Sequence, residues 1–106
     1  MVTLEDFKKL SLRVGCIIDV QDHPHADKLY IVTVDVGETK KQLVAGIKRY
    51  YAKEALHGKF CILIDNLEAA TIRGVESQGM LLAAKDGQAL SIVTLDKEVI
   101  LGSPVT

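Results

Sequence analysis

Two stretches hold residues whose types and spacing could do chemistry. The first, Arg73-Gly74-Val75-Glu76-Ser77-Gln78-Gly79-Met80, runs into the apolar sequence Leu81-Leu82-Ala83-Ala84. Its two glycines supply backbone angles that residues with side chains resist, and they bracket or adjoin a cation, a hydroxyl and an amide. Set just ahead of a strand, such a loop can grip a phosphate or a ribose. An ordinary irregular connection with solvated polar residues would have the same composition. The second stretch, His23-Pro24-His25-Ala26-Asp27, places two imidazoles and a carboxylate at alternating positions, which suits zinc or another divalent ion. A fourth ligand is missing: His57 is far off in sequence, and Cys16 and Cys61 fall inside apolar, strand-like stretches. No metal or other cofactor is expected. No Ser/His/Asp order, phosphate-cradling glycine loop or pair of carboxylates in helical register can be singled out, so a binding protein is expected and not an enzyme.

Charge is unevenly distributed. The formal net charge is −1, which by itself speaks against nucleic-acid binding. Residues 40–59 nevertheless carry Lys40, Lys41, Lys48, Arg49, Lys53 and Lys59 against Glu54 alone, while acidic residues outnumber basic ones on either side. Such concentration in one segment is a plausible footprint for a polyanion, although charged turns are also commonly just solvated.

These residues must be positioned by elements that 106 residues can form, which means one domain spanning 1–106. Thr3 reads as an N-cap, with Glu5 and Asp6 in the first turn and Leu4, Phe7 and Leu10 on one face of a short helix. From Leu12 to Gln21 apolar and other residues alternate, so a strand with Leu12, Val14, Cys16, Ile18 and Val20 facing inward is expected. Further strands are expected over 28–36 and 41–45, helical turns within 47–56, and a fourth strand over 60–65. A long loop, with room for a short extended piece, is expected over 66–79, then a strand over 80–85. Asp86-Gly87 signals a hairpin into a last strand over 89–95. Cys16 and Cys61 are expected to be reduced core residues. Phe7 and Phe60 sit in core-like patterns, and Tyr50 could belong to the core as well. The chain is 48% hydrophobic, generous for its size, which points to a dimer. Leu4, Phe7 and Leu10, with residues 99–101 and Val105, are the expected two-fold interface. Neither a leader pattern nor a run long enough to cross a bilayer is seen, and a cytoplasmic location is expected.

The order and spacing of His23-Pro24-His25-Ala26-Asp27-Lys28-Leu29-Tyr30, Val44-Ala45-Gly46-Ile47, Tyr50-Tyr51, Asn66-Leu67, Arg73-Gly74-Val75, Ser77, Gly79 and Met80 resemble those of the tRNA-binding domain family. The resemblance runs from about Asp6 to the end. It implies an all-β, five-stranded oligonucleotide/oligosaccharide-binding (OB) barrel with a short N-terminal helix and a short helix between strands three and four. Members stand alone, form appendages of methionyl-tRNA synthetases, or act as CsaA-type secretion chaperones. It also implies Lys28, Asn66, Arg73, Ser77 and Met80 as RNA contacts, to which Lys48 and Arg49 of the basic segment are added. Lys28 and Arg73 would meet phosphates, and Ser77 and Asn66 would address a ribose 2′-hydroxyl or a phosphate. Met80 would either pack a sugar or base edge or anchor the loop in the core. Few aromatic residues are available for stacking, which favours recognition of a folded RNA by shape. The expected function is general tRNA binding, accessory to aminoacyl-tRNA synthesis and with a methionyl-type synthetase as a possible partner. The rival is a CsaA-like chaperone that holds unfolded polypeptide in the apolar groove of the dimer.

Overall fold

The alternating segment after Leu10 forms the longest strand of the computed structural model, which describes all 106 residues. The elements run α1 (Leu4–Lys8), β1 (Leu12–Asp22), β2 (Tyr30–Asp35), β3 (Lys40–Ala45), α2 (Lys53–Leu56), β4 (Phe60–Ile64), β5 (Ala70–Ile72), β6 (Val75–Ser77), β7 (Met80–Leu81), β8 (Ala83–Lys85) and β9 (Leu90–Ile92). The main sheet has the order β3-β2-β1-β4-β7 and is antiparallel throughout. It curls into a nearly closed five-stranded barrel, as expected. No helix is long and apolar enough to cross a membrane.

The inward face of β1 differs from the one that strict alternation predicts. Ile17 is fully buried, and a side chain at Gly15 would run into Val34 and Leu63, so Gly15 and Ile17 face the barrel interior, while Val14 is buried as expected but outside the central cluster. The register against β2 then shifts between Ile17 and Asp19, and Val20 turns inward instead. One extra residue at this bulge exchanges the two faces, because side chains alternate with a period of two. Cys16 consequently points away from Cys61, whose neighbour across the ladder is Gly15, and both thiols are free. Cys61 is buried in the core, where desolvation pushes its thiol up to about 12, whereas Cys16 is only half-buried.

Two regions expected to be simple are subdivided. The 66–79 connection contains a hairpin, β5 with β6, in which Ile72 pairs with Val75 around Arg73 and Gly74. Both turn residues have positive φ, 53° and 88°, the combination that matches a two-residue turn to the twist of its strands. The expected strand over 80–85 breaks at Leu82, so β7 extends the main sheet and β8 pairs with β9.

Side chains complete the barrel where no regular ladder runs. Gln42 N–H donates to the Gln78 side-chain carbonyl at 2.8 Å, and Gln78 N–H returns to the Gln42 backbone carbonyl at 2.8 Å. Val44 N–H donates to the Ser77 hydroxyl at 3.0 Å, which itself donates to the Gly79 carbonyl at 3.1 Å. Gly79 is required by close approach, since a Cβ there would stand 2.6 Å from the Ile64 carbonyl oxygen. Ile47 and Leu56, from the turns between β3 and β4, join the buried cluster.

At the other end, Thr3 and Asp6 form a capping box on α1. The helix buries nothing. Leu4, Phe7 and Leu10 are exposed and, with Leu12 and Val105, line a groove of about 410 Å³ between α1 and the C-terminal tail. Phe7 is thus a groove residue and not a core one, because α1 stands off the barrel.

Candidate nucleic-acid interface

Two hydrogen bonds join the β1–β2 loop to the tip of the β5–β6 hairpin, and a third, within the loop, orients the imidazole that makes one of them. His25 N–H donates to His23 Nδ1 at 3.0 Å. Because a backbone N–H can only donate, Nδ1 is the acceptor and the ring proton resides on Nε2. That proton is donated to the Ile72 carbonyl, 3.0 Å away. Arg73 Nη2 then donates to the His25 carbonyl at 3.1 Å, which uses one corner of its guanidinium and leaves the remaining donors exposed.

The outcome is a depression of about 340 Å³ in which Lys28 and Arg73 are both lining residues, with Asp27 beside them. Neither cation is in an ion pair within the chain. The two walls are brought together by side chains that donate to backbone carbonyls, His23 to Ile72 and Arg73 to His25, and not by ion pairs. Two exposed cations lining one depression can neutralise neighbouring phosphates, and the planar guanidinium can do so with paired hydrogen bonds.

A second, apolar cleft of about 280 Å³ adjoins the first, since Ile72 lines it immediately before Arg73 in the hairpin. Val44, Gly46 and Ile47 at the end of β3 form one wall, and Met80 and Leu90 border the other. Met80 is 52% exposed, so its side chain borders this cleft and is not buried in the core.

Other expected contacts lie elsewhere or are occupied. Asn66 receives Ser11 N–H at 2.8 Å and donates to the Lys9 carbonyl at 2.7 Å, tying α1 to the start of β1. Arg73 lies past the far end of that strand, roughly 30 Å of extended chain away. Ser77, expected to address a ribose or phosphate, lines the apolar cleft but is only 4% exposed, with its hydroxyl committed to Val44 and Gly79. Lys48 and Lys53 both bind Asp22, at 3.1 Å and 3.0 Å. The Lys53 ammonium, and then that of Lys48, holds the Asp22 carboxyl below the usual range. Arg49 is exposed and unpaired. The basic segment is thus divided: Lys40 and Lys41 lie at the start of β3, and Lys48 and Arg49 beyond its end.

The tyrosines do not form a stacking platform. Tyr30 is buried and donates to the Tyr51 carbonyl at 2.7 Å, while Tyr51 Oη accepts Ile92 N–H at 3.0 Å. Tyr50 is half-buried, with Lys85 Nζ 5.8 Å from its ring centre. Sequence reasoning missed the structural use of His23, which it weighed only as a metal ligand. The one available signal was an imidazole at the end of an apolar strand and two residues before a second histidine. Nothing local marked Gln42 and Gln78 as barrel-closing residues.

Fold and site together define a nucleic-acid-binding domain of OB architecture. The family model described as "Putative tRNA binding domain" matches residues 12–104, and the chain belongs to that family. It is 59% identical over 104 residues to the methionine–tRNA ligase of Pyrococcus horikoshii, a match covering 98% of this chain and 14% of the relative. The chain therefore spans about a seventh of the length of such relatives. Among solved structures, the MetRS-related protein of Pyrococcus horikoshii superposes with a TM-score of 0.93 and 30% identity, covering 100% of this chain and 98% of that one. The CsaA chaperone protein of Picrophilus torridus superposes equally well, with a TM-score of 0.93, 29% identity and full coverage of both chains.

Proposed function

We propose that this domain holds folded tRNA by its shape, with little sequence discrimination, as an accessory to methionyl-tRNA synthesis in the cytoplasm. It carries no chemistry of its own. The observation that carries this reading is the pattern of identity. The chain is 59% identical to a methionine–tRNA ligase but 30% identical to the MetRS-related protein of the same organism. Lys28 and Arg73 would contact phosphates, Met80 and the apolar cleft a sugar or base edge, and Arg49 a more distant phosphate. Ser77 and Asn66 would contribute by shaping and anchoring these elements.

A groove with an apolar lining that includes Leu4, Phe7 and Leu10, on a helix without a buried face, supports association into a closed two-fold dimer through α1 and the C-terminal tail. Light scattering is expected to show a dimer at micromolar concentration, and a stable monomer would exclude this part of the proposal. The likeness to a CsaA chaperone protein supports a second reading, in which the same groove receives unfolded polypeptide. An electrophoretic shift with total tRNA, single-stranded DNA and a reduced unfolded protein at several salt concentrations separates the two. The tRNA reading expects preference for tRNA and a log–log salt slope of about −2 to −5 per subunit. A flat salt response with retention of the unfolded protein would favour the chaperone.

A further inference from the structure

We infer that His23 is the positioning residue of this tRNA site: its imidazole fastens the β1–β2 loop to the β5–β6 hairpin, presetting the spacing of Lys28 and Arg73. The inference rests on the proposed role of those two cations.

His23 is only 5% exposed, yet it is not part of the apolar cluster. Burying an imidazole is costly unless both nitrogens find partners, and an aliphatic residue would fill the space without that requirement. Both nitrogens here are engaged by backbone groups, and those groups belong to the segments that carry the cations. Nδ1 accepts from His25, three residues before Lys28, and Nε2 donates to Ile72, the residue before Arg73.

The hairpin needs such a fastening. It comprises two strands of three residues each, too little to be stable by itself. Its base is held to β3 through Gln42 and Ser77, but its tip meets the β1–β2 loop only through the bonds from His23 and Arg73. Lys28 and Arg73 line one depression without an ion pair to either of them, so no salt bridge holds its two walls together. If His23 keeps it closed in the free protein, RNA meets a ready-made pair of cations and does not have to order the hairpin as it binds.

The two ring nitrogens can be tested separately. In His23→Gln the terminal amide reaches towards the position of Nε2 and can donate to Ile72. In His23→Asn the side-chain carbonyl stands near Nδ1 and can accept from His25, but nothing reaches Ile72. Filter binding of tRNA is measured beside thermal melting for each variant, for Arg73→Ala, and for His23→Asn combined with Arg73→Ala. His23→Asn is expected to weaken binding about tenfold and to reduce the salt slope by about one, as the loss of a phosphate contact does. His23→Gln should recover most of that loss. In the Arg73→Ala background, His23→Asn should cost less than about threefold, because both changes remove the same contact.

Normal affinity in His23→Asn, or a loss that simply adds to that of Arg73→Ala, would overturn the inference while leaving the cation site intact. An Arg73→Ala variant with unchanged affinity and salt slope would instead remove the site itself, and the inference with it. Should His23→Asn fail to fold, nitrogen NMR of the unmodified protein decides. The ring is expected as the Nε2–H tautomer, with hairpin backbone signals in the free protein as sharp as those of the barrel strands. Hairpin signals that sharpen only when tRNA is added would show that the RNA, and not His23, orders the hairpin.

Discussion

Arg73 and Ser77 lie four positions apart in one connection, and both carry polar groups suited to RNA, yet the barrel treats them in opposite ways. Arg73 sits at the outer end of a hairpin, in the left-handed region at φ 53°, with its side chain exposed. Ser77 lies at the base of the same hairpin, where β3 approaches without a continuous ladder, and its hydroxyl satisfies Val44 N–H. The difference comes from distance to the barrel. A polar group within reach of an unpaired backbone N–H is consumed in satisfying it, whereas one held beyond the last strand pair remains available to a ligand.

Removing the hydroxyl at the hairpin base should have the largest effect. Ser77→Ala leaves the half-buried Val44 N–H without an acceptor and is expected to cost about 1–3 kcal/mol of stability. Thermal melting should record this as a fall on the order of 10 °C. Loss of tRNA binding at constant melting temperature would instead make Ser77 a direct contact and erase the contrast. At the tip the opposite separation is expected. Arg73→Ala should weaken tRNA binding by about 1–3 kcal/mol while leaving melting nearly unchanged, because the side chain packs nothing in the core.

Met80 sharpens the comparison, since it follows the hairpin base in sequence but is exposed like the tip. Met80→Ala should lower tRNA affinity by about 0.5–1 kcal/mol, the scale of one partly buried thioether contact, without lowering the melting temperature. A drop in stability would place Met80 with Ser77. The smallest effect concerns Asp22, which binds Lys48 and Lys53 in solvent. Its carboxyl is held low, chiefly by the Lys53 hydrogen bond, so the ion pair contributes above the ordinary carboxylate range and is lost as pH falls through the lowered value. Melting curves of Asp22→Asn and the unaltered protein should differ slightly near neutrality and converge in acid. A difference that persists in acid would mean that Asp22 acts by something other than its charge.

Local signals in the chain were reliable wherever the deciding atoms lay within a few residues. Thr3 and Asp6 announced the capped helix, and Asp86-Gly87 announced a hairpin whose Asp86 carboxylate accepts from Gln88 and Ala89. The alternation after Leu12 identified a strand and the burial of Val14 and Val20 but put Cys16 in the core where Ile17 lies, and the bulge that exchanges the faces appears only when β2 pairs against it. Arg73-Gly74 could have been recognised as a two-residue hairpin turn, but the flanking strands were too short to show alternation. Of the residues expected at the site, Lys28, Arg73 and Met80 came to lie around adjoining clefts, while Asn66 and Ser77 were drawn into the scaffold.

What the sequence by itself determined was therefore the main strands of the barrel, the capped helix, the Asp86-Gly87 turn and the kinship carried by an ordered series of motifs. These follow from backbone preference and period-two burial, which act over a handful of residues. Only the tertiary structure decided which polar side chains were free. Gln42 meets Gln78 across 36 residues, Val44 meets Ser77 across 33, and His23 meets Ile72 across 49. Each pairing exists because folding brings an unsatisfied backbone group beside a side chain that can complete it, and no local pattern records which backbone groups the ladders will leave unpaired.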